Sequence, residues 1–293
     1  MDEMEWLAQR FESHRAHLRA VAYQMLGSLT EADDAVQEAW LRLSRADTSS
    51  VNNLGSWLTT VVARVCLDML RSRKMRREEP LGVHVPDPVV SRVNGTDPEY
   101  QALLADSVGL ALLVVLDTLD PAERLAFVLH DMFDLPFNDI APLLGRSANA
   151  ARLLASRARR RVRAAPVPDT DLALQQELVG AFLAASRSGD FDALVAVLDP
   201  GVVLHADAGA LRPGGPAVVR GAAAVAQQAI TFARLDRVAQ PALVNGAAGL
   251  VTAPSGKPRS VIGFTISHGK IAEIDILADP ERLRALDLAV LDN

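Results

Sequence analysis

The stretch GRSANAARLLASRARRRVR, Gly145–Arg163, carries seven arginines and no acid, in a chain whose formal net charge is −6. Placed on a helix at about 100° per residue, Ala151, Leu154, Ala155, Ala158 and Val162 fall on one apolar stripe. Asn149, Arg152, Ser156, Arg159, Arg160 and Arg163 lie opposite. Ser147 suits the N-cap, because its hydroxyl can accept from the first unpaired backbone N–H groups. The preceding PFNDIAPLLG reads as a short helix ending at Gly145. A helix, a short turn with Gly and a basic helix make a helix-turn-helix pattern. In that motif the N-terminal part of the second helix touches base edges in the major groove. Asn149 suits adenine and Arg152 suits guanine; Ser156 on the same face and Ser147 at the helix start are further candidates for DNA contact. Arg157, Arg159, Arg160 and Arg163 sit further along, where phosphates are met. A solvated basic helix or an RNA-binding helix is the alternative reading of the same residues.

The rest of the chain narrows the choice. A length of 293 residues with 49% hydrophobic content predicts two or three cored domains. No apolar run approaches the roughly 18 residues needed to cross a bilayer. The charged start MDEMEWLAQRFESHR shows no signal-peptide pattern, so a cytoplasmic protein without membrane partners is expected. A single cysteine, Cys66, excludes an internal disulfide and any cysteine-cluster metal site, and its apolar surroundings predict a buried, inert thiol. The six histidines are scattered, so neither a metal nor a cofactor is expected. A second basic cluster, Arg64–Arg77, holds six basic residues against one acid, Asp68. By contrast, Glu31, Asp33, Asp34 and Glu38 fall within eight residues, and the chain from Ala164 onward has 10 basic and 14 acidic residues. Two separate basic clusters on an acidic chain predict two contacts with a polyanion.

Helices are predicted at Glu5–Gly27, Glu31–Ser44 and Leu54–Arg73. Phe11, Arg15, Leu18, Ala22–Tyr23, Leu26–Gly27 and the run Ala32–Leu41 (ADDAVQEAWL) closely resemble region 2 of extracytoplasmic-function sigma factors. The segment LDPAERLAFVLHDMFDLPFNDIAPLLGRS, with ARLLASRARRRV after it, resembles region 4 of the same family. The two likenesses are colinear and cover about residues 5–165. The resemblance implies that region 2, residues 1–78, grips the clamp helices of core RNA polymerase and opens the −10 element of promoter DNA. Region 4, residues 99–165, would bind the −35 element, with a linker at 79–98. Asp33, Asp34, Gln37, Glu38, Trp40 and Leu41 would face polymerase, with Val36, Trp40 and Leu43 as an apolar edge. Core packing of Val36 and Trp40, and a solvated acidic face, are the alternatives.

The Ser-, Thr- and Asn-rich loop Arg45–Asn53 would capture a base flipped from the −10 strand, a step that costs a few kcal/mol of unstacking. Asn52 and Asn53 could bond a base edge or merely shape a turn. Trp57 could stack on a base, with a core position the alternative. Arg64, Arg71, Arg73, Lys74, Arg76 and Arg77 suit the phosphate backbone at the melted edge. Two departures bear on −35 reading. Leu153 stands where family members often carry Gln, which removes a hydrogen-bonding base reader. Pro142 lies inside the first helix of the motif, where a place in the first turn would soften the loss of its N–H.

Ala164–Asp169 reads as a linker. After it come two helices broken at Ser188–Asp190, a strand at VVLHAD, a helix at GAAAVAQQAITFA, and strands at Leu243–Asn245, Gly249–Ala253, Ser260–Ser267 and Lys270–Leu277, the last two joined by a hairpin at Ser267–Lys270. The whole is thus expected to be multidomain: an all-α region 2 and a helix-turn-helix region 4, followed at 169–293 by an α+β domain. The element order, with Gly189-Asp190, Arg220-Gly221 and Gly269-Lys270, resembles the SnoaL-like cone fold. Sigma factors with such a domain form the SigJ-like group. That resemblance implies an interdomain contact through His84, Pro86, Asp87 and Pro88 on one side and Asp207, Gly209, Asp279, Pro280 and Arg282 on the other, so that the C-terminal domain regulates its own sigma regions. A small ligand, a one-component ligand-sensing DNA-binding regulator, and residual isomerase-like catalysis through His205, Asp207 or Asp275 are the alternatives; a catalytic carboxylate would need an apolar pocket inside the cone.

Overall fold

The computed structural model describes residues 3–46, 53–75, 84–93, 109–209, 217–235, 238–254, 257–286 and 288. These group into a helical unit, with 3–75 and 115–164, and a sheet unit, with 84–93, 109–114 and everything from 165 on.

In the helical unit α1 (Glu3–Leu26), α2 (Leu29–Leu43) and α3 (Leu54–Met75) pack around Leu18, Tyr23, Met25, Leu26, Leu43, Leu58 and Leu67. Gly27, at φ 68°, ends α1, and Ser28 caps α2 by accepting from the Glu31 N–H. After α4 (Leu110–Asp117) come α5 (Pro121–Phe127), a π-helical turn (Val128–Met132), α6 (Phe137–Leu144) and α7 (Ala148–Arg163). Between region 2 and region 4 the anchor is Arg124, only 1% exposed. Its Nε donates to the Gln24 carbonyl at 3.2 Å and its Nη1 to Asp117 at 3.0 Å. Burial pulls the Arg124 pKa down, and the Asp117 carboxylate opposes that. His17 meets Phe133 edge-on at 5.3 Å, and Lys74 pairs with Asp120.

Pro142 corrects an expectation. Helix α6 begins at Phe137, so Pro142 is its sixth residue and lies in the second turn, where its missing N–H leaves the Asn138 carbonyl without a helical donor. The helix closes at once: Gly145 takes φ 63°, and the Arg146 N–H reaches back to the Ala141 carbonyl at 3.0 Å.

The sheet unit has α8 (Leu172–Ser188), α9 (Phe191–Val197), β2 (Leu198–Asp207), β3 (Ala217–Arg220), α10 (Ala222–Leu235), β4 (Ala239–Val244), β5 (Ala247–Thr252), β6 (Ser260–Ser267), β7 (Lys270–Leu277) and α11 (Pro280–Ala285). Its seven-stranded sheet runs β1-β4-β5-β6-β7-β2-β3, and only the β2–β7 pair is parallel. The edge strand β1 (Val90–Ser91) comes from the segment between regions 2 and 4. His268 and Gly269, both at positive φ, turn β6 into β7, and Asp169 accepts from both of their N–H groups. Asn245 is not in a strand as expected. Asn245-Gly246 takes positive φ at both residues and forms the two-residue turn between β4 and β5, the geometry that Asn-Gly favours.

Candidate functional site

Helix α7 is built as its pattern demands. Ala151, Ala155 and Ala158 are buried, Leu154 and Val162 half-buried, and Asn149, Arg152, Ser156, Arg157, Arg160 and Arg163 exposed. The Ser147 hydroxyl accepts from the Ala150 N–H at 3.3 Å, so Ser147 is occupied as the cap. Asn149 and Arg152 do not stand apart: Arg152 donates to Asn149 Oδ1 at 3.0 Å, and its guanidinium lies over the Phe137 ring at 5.3 Å. Phe137 in turn stacks on His130 at 3.8 Å, and His130 Nδ1 lies 2.9 Å from the Leu135 carbonyl. Arg152 is thus held by Asn149 and on an aromatic shelf formed by Phe137. Arg159 is half-buried and bonded to Asp131. The charges of Arg157, Arg160 and Arg163 are exposed.

In region 2, Val36 and Leu43 are core, so they form no outward apolar edge. Trp40 is half-buried and packs on Phe11 at 5.2 Å. Asp33 pairs with Arg19 at 2.7 Å, and Glu38 with Arg42 at 2.9 Å, one turn on. Asp34, Gln37 and Leu41 are exposed on one face of α2. Asn53 caps α3, its Oδ1 accepting from the Ser56 N–H at 3.1 Å. Trp57 is half-buried. Arg73 is committed to the fold, bonding Glu31 and donating to the Leu26 carbonyl at 3.1 Å. Lys74 pairs with Asp120, Arg71 lies 3.9 Å from Asp68, and Arg64 is exposed. Asn52, Arg76 and Arg77 lie outside the described residues. Cys66 is buried, and burial pushes its thiol pKa up.

The second constellation lies wholly in the sheet unit. Residues 85–90 of the connector are buried, Pro86, Asp87 and Pro88 among them. Arg282 on α11 donates Nε to Asp87 Oδ1 at 2.8 Å, Nη1 to Asp207 Oδ2 at 2.9 Å, and Nη2 to the Val85 carbonyl. His84 Nδ1 stands 3.4 Å from Asp207. Asp207 also accepts from the Val85 and Gly209 N–H groups. Burial pushes the Asp207 carboxyl up, but the His84 contact, the Gly209 N–H and the Arg282 charge outweigh it and hold the pKa below its usual value. Asp279 caps α11, where Pro280 is the first residue. Gly209, at φ 55°, must be glycine: a Cβ there would stand 2.2 Å from Asp279 Oδ2. Asn245 completes the clasp, its side chain accepting from the Val89 N–H at 3.0 Å and its own N–H donating to the Val89 carbonyl at 2.8 Å. Nothing local in the sequence marked Phe137 or His130, or the hold of Asn245 on Val89, because each acts on a segment from another element.

The third polar group decides the catalytic reading. His205 Nδ1 meets Asp275 Oδ1 at 2.9 Å between the paired strands β2 and β7. Along those strands Val202, Leu204, Ala206, Ile274 and Ile276 join the apolar core with α8, α9 and α10. His205 and Asp275 alternate with them and so point away from that core.

Residues 10–76 match the model of Sigma-70 region 2, and residues 109–162 that of Sigma-70, region 4. Over 288 residues the chain is 40% identical to the ECF RNA polymerase sigma factor SigJ of Mycobacterium tuberculosis, across 93% of this chain and 91% of that one. The chain belongs to the ECF RNA polymerase sigma factors. It is also 36% identical to the probable sigma factor SigI of the same organism, across 98% of each chain. The crystal structure of Mycobacterium tuberculosis SigJ superposes with a TM-score of 0.79, covering 96% of this chain and 99% of that one at 36% identity. As a sigma factor the protein directs RNA polymerase to promoters and initiates transcription; it is a transcription factor, not an enzyme. Among the described residues, no helix is long and apolar enough to cross a membrane.

One acid of this sigma factor carries a pH prediction. Glu273, on β7 beside Asp275, has its pKa raised from 4.5 to about 7, first by burial and then by Asp275, with His205 opposing. A raised carboxyl pKa means that the unfolded chain releases the proton first. Stability from this group is therefore full below about pH 4.5, falls as pH rises to about 7, and is level above. Glu273→Gln is expected to flatten that fall, raising stability at pH 8 by on the order of 1–3 kcal/mol. Melting curves of both proteins from pH 4.5 to 8 check it.

Proposed function

We propose that this sigma factor reads the −35 element with α7, engages the −10 element through region 2, meets polymerase through Asp34, Gln37 and Leu41, and is regulated in cis by its C-terminal domain. The observation that carries the regulatory part is the buried Arg282–Asp87–Asp207 group. It ties the covalent connector of regions 2 and 4 to the C-terminal domain. Leu110, at the start of α4, is seated on the same sheet: a Cβ on Gly263 would stand 2.8 Å from its Cδ2. The C-terminal domain thus holds two points of the chain between the regions, and a change in their reach is expected to act on that hold.

Such a change is required. The −10 and −35 elements are about 25 base pairs apart, roughly 85 Å at about 3.4 Å per pair. A compact unit of about 120 residues has a radius of gyration of roughly 14 Å. The Arg124–Gln24, His17–Phe133 and Lys74–Asp120 contacts between regions 2 and 4 must then open when both elements are engaged.

Promoter output from the full chain with core polymerase, compared with its Arg282→Ala variant, tests the regulatory reading. A change in either direction supports it; equal output and equal polymerase binding overturn it. Truncation after residue 164 is a poorer test, because it also strips the seat of Leu110. For −35 reading, Arg152→Ala and Asn149→Ala are expected to relax the same base positions, since the two side chains are bonded, at a cost of about 1–3 kcal/mol. Arg160→Ala is expected to weaken all sequences alike. Binding of the holoenzymes to a library of −35 variants checks this, and identical profiles for all three would put α7 in the wrong orientation.

A further inference from the structure

Leu153 is the one large apolar side chain on α7 that the structure leaves exposed among the described residues, at 63%. Its place on the helix is not incidental. At 3.6 residues per turn it points away from the midline of the buried stripe Ala151, Ala155, Ala158 and Val162, and Asn149, Ser156, Arg157 and Arg160 fall within about 60° of it. It is the sixth residue of the helix, between the base-reading Asn149–Arg152 pair and the phosphate-facing arginines. A helix entering the major groove puts the centre of its outer face nearest the groove floor. Apart from the small Ala150 at its edge, the neighbours of Leu153 on that face are polar or basic, so the face fits duplex DNA rather than an apolar protein groove.

A leucine can neither donate nor accept a hydrogen bond. The apolar group displayed on the major-groove floor is the thymine C5-methyl. We propose that Leu153 is a specificity-determining residue that packs on the C5-methyl of a thymine in the −35 element, beside the base contacted by Arg152. This deepens the −35 reading above and rests on it. Where a hydrogen-bonding side chain would select by donor and acceptor, Leu153 selects thymine over cytosine by a methyl group.

The test uses the full chain with core polymerase and a promoter that this holoenzyme opens. Each −35 thymine on either strand is replaced in turn by deoxyuridine, which lacks only the methyl, and binding is measured by competition. The wild type is expected to lose about four-fold at one thymine, the worth of one buried methylene-sized group. Leu153→Ala is expected to be insensitive at that position, and Leu153→Met to keep the sensitivity. Unchanged melting curves are expected for both variants, because the site is exposed. A flat deoxyuridine scan, or the same scan for wild type and Leu153→Ala, overturns the proposal while leaving −35 reading by α7 intact. Indifference of the holoenzyme to replacement of the whole −35 element overturns both.

Discussion

Arg282→Ala is expected to undock residues 84–91 from the sheet and to destabilise the sheet unit by about 3–5 kcal/mol. That corresponds to a fall of roughly 6–20 °C in its melting temperature. The size follows from what is left behind. Arg282 is the cation between two buried carboxylates, Asp87 and Asp207, and it also donates to the Val85 carbonyl. Its removal strands both charges in a poorly solvated site. Replacing the group together, with Arg282→Met, Asp87→Leu and Asp207→Asn in one chain, is expected to cost less, because no charge is then left unpaired. The loss should also grow with pH in the acid range. The lowered pKa of Asp207 means its contribution is complete above about pH 4 and fades as pH falls below that, so the variant and the wild type converge at low pH. Calorimetry, with limited proteolysis followed at residues 84–91, checks the prediction; a melting temperature within a degree of wild type and unchanged cleavage would refute it.

The second large effect is expected in the helical unit. Asp117→Ala leaves the Arg124 guanidinium buried without its carboxylate, at a cost of about 3–5 kcal/mol. Arg124→Met, which removes the charge and keeps much of the volume, is expected to cost far less. Cys66 supplies the readout. The thiol is fully buried and burial raises its pKa, so alkylation must wait for the unit to open. Asp117→Ala is expected to speed Cys66 alkylation at neutral pH by about 100-fold or more, and Arg124→Met by less than ten-fold, if opening is rapid relative to the reaction. Equal rates in all three proteins would show that the buried pair does not hold regions 2 and 4 together.

What the sequence disclosed depended on distance along the chain. The stripe of α7, the Ser147 cap and the β6–β7 hairpin rest on residues a few positions apart, and each stands where its periodicity or turn chemistry puts it. Asn245-Gly246 carried its signal too, but a strand assigned through Asn245 hid it. Site residues fared differently. Asn53, Arg73 and Arg159 have the chemistry of DNA contacts, yet the first caps a helix and the others pair with Glu31 and Asp131. Composition cannot tell an outward arginine from one folded back on an acid 28 or 42 residues away. Arg124 is the extreme case: nothing in its neighbourhood announces a fully buried cation, because one of its partners lies 100 residues upstream. The connector clasp brings together residues that only a family resemblance had linked, Asp87 and Arg282 being 195 positions apart.

The most direct test of the whole account is transcription from a pool of random-sequence templates by core RNA polymerase with and without this protein. The account predicts specific transcripts only when both are present, sharing two sequence blocks about 10 and 35 base pairs upstream of their starts. Transcript profiles unchanged by the protein, together with tight sequence-specific binding of DNA by the protein alone, would contradict it.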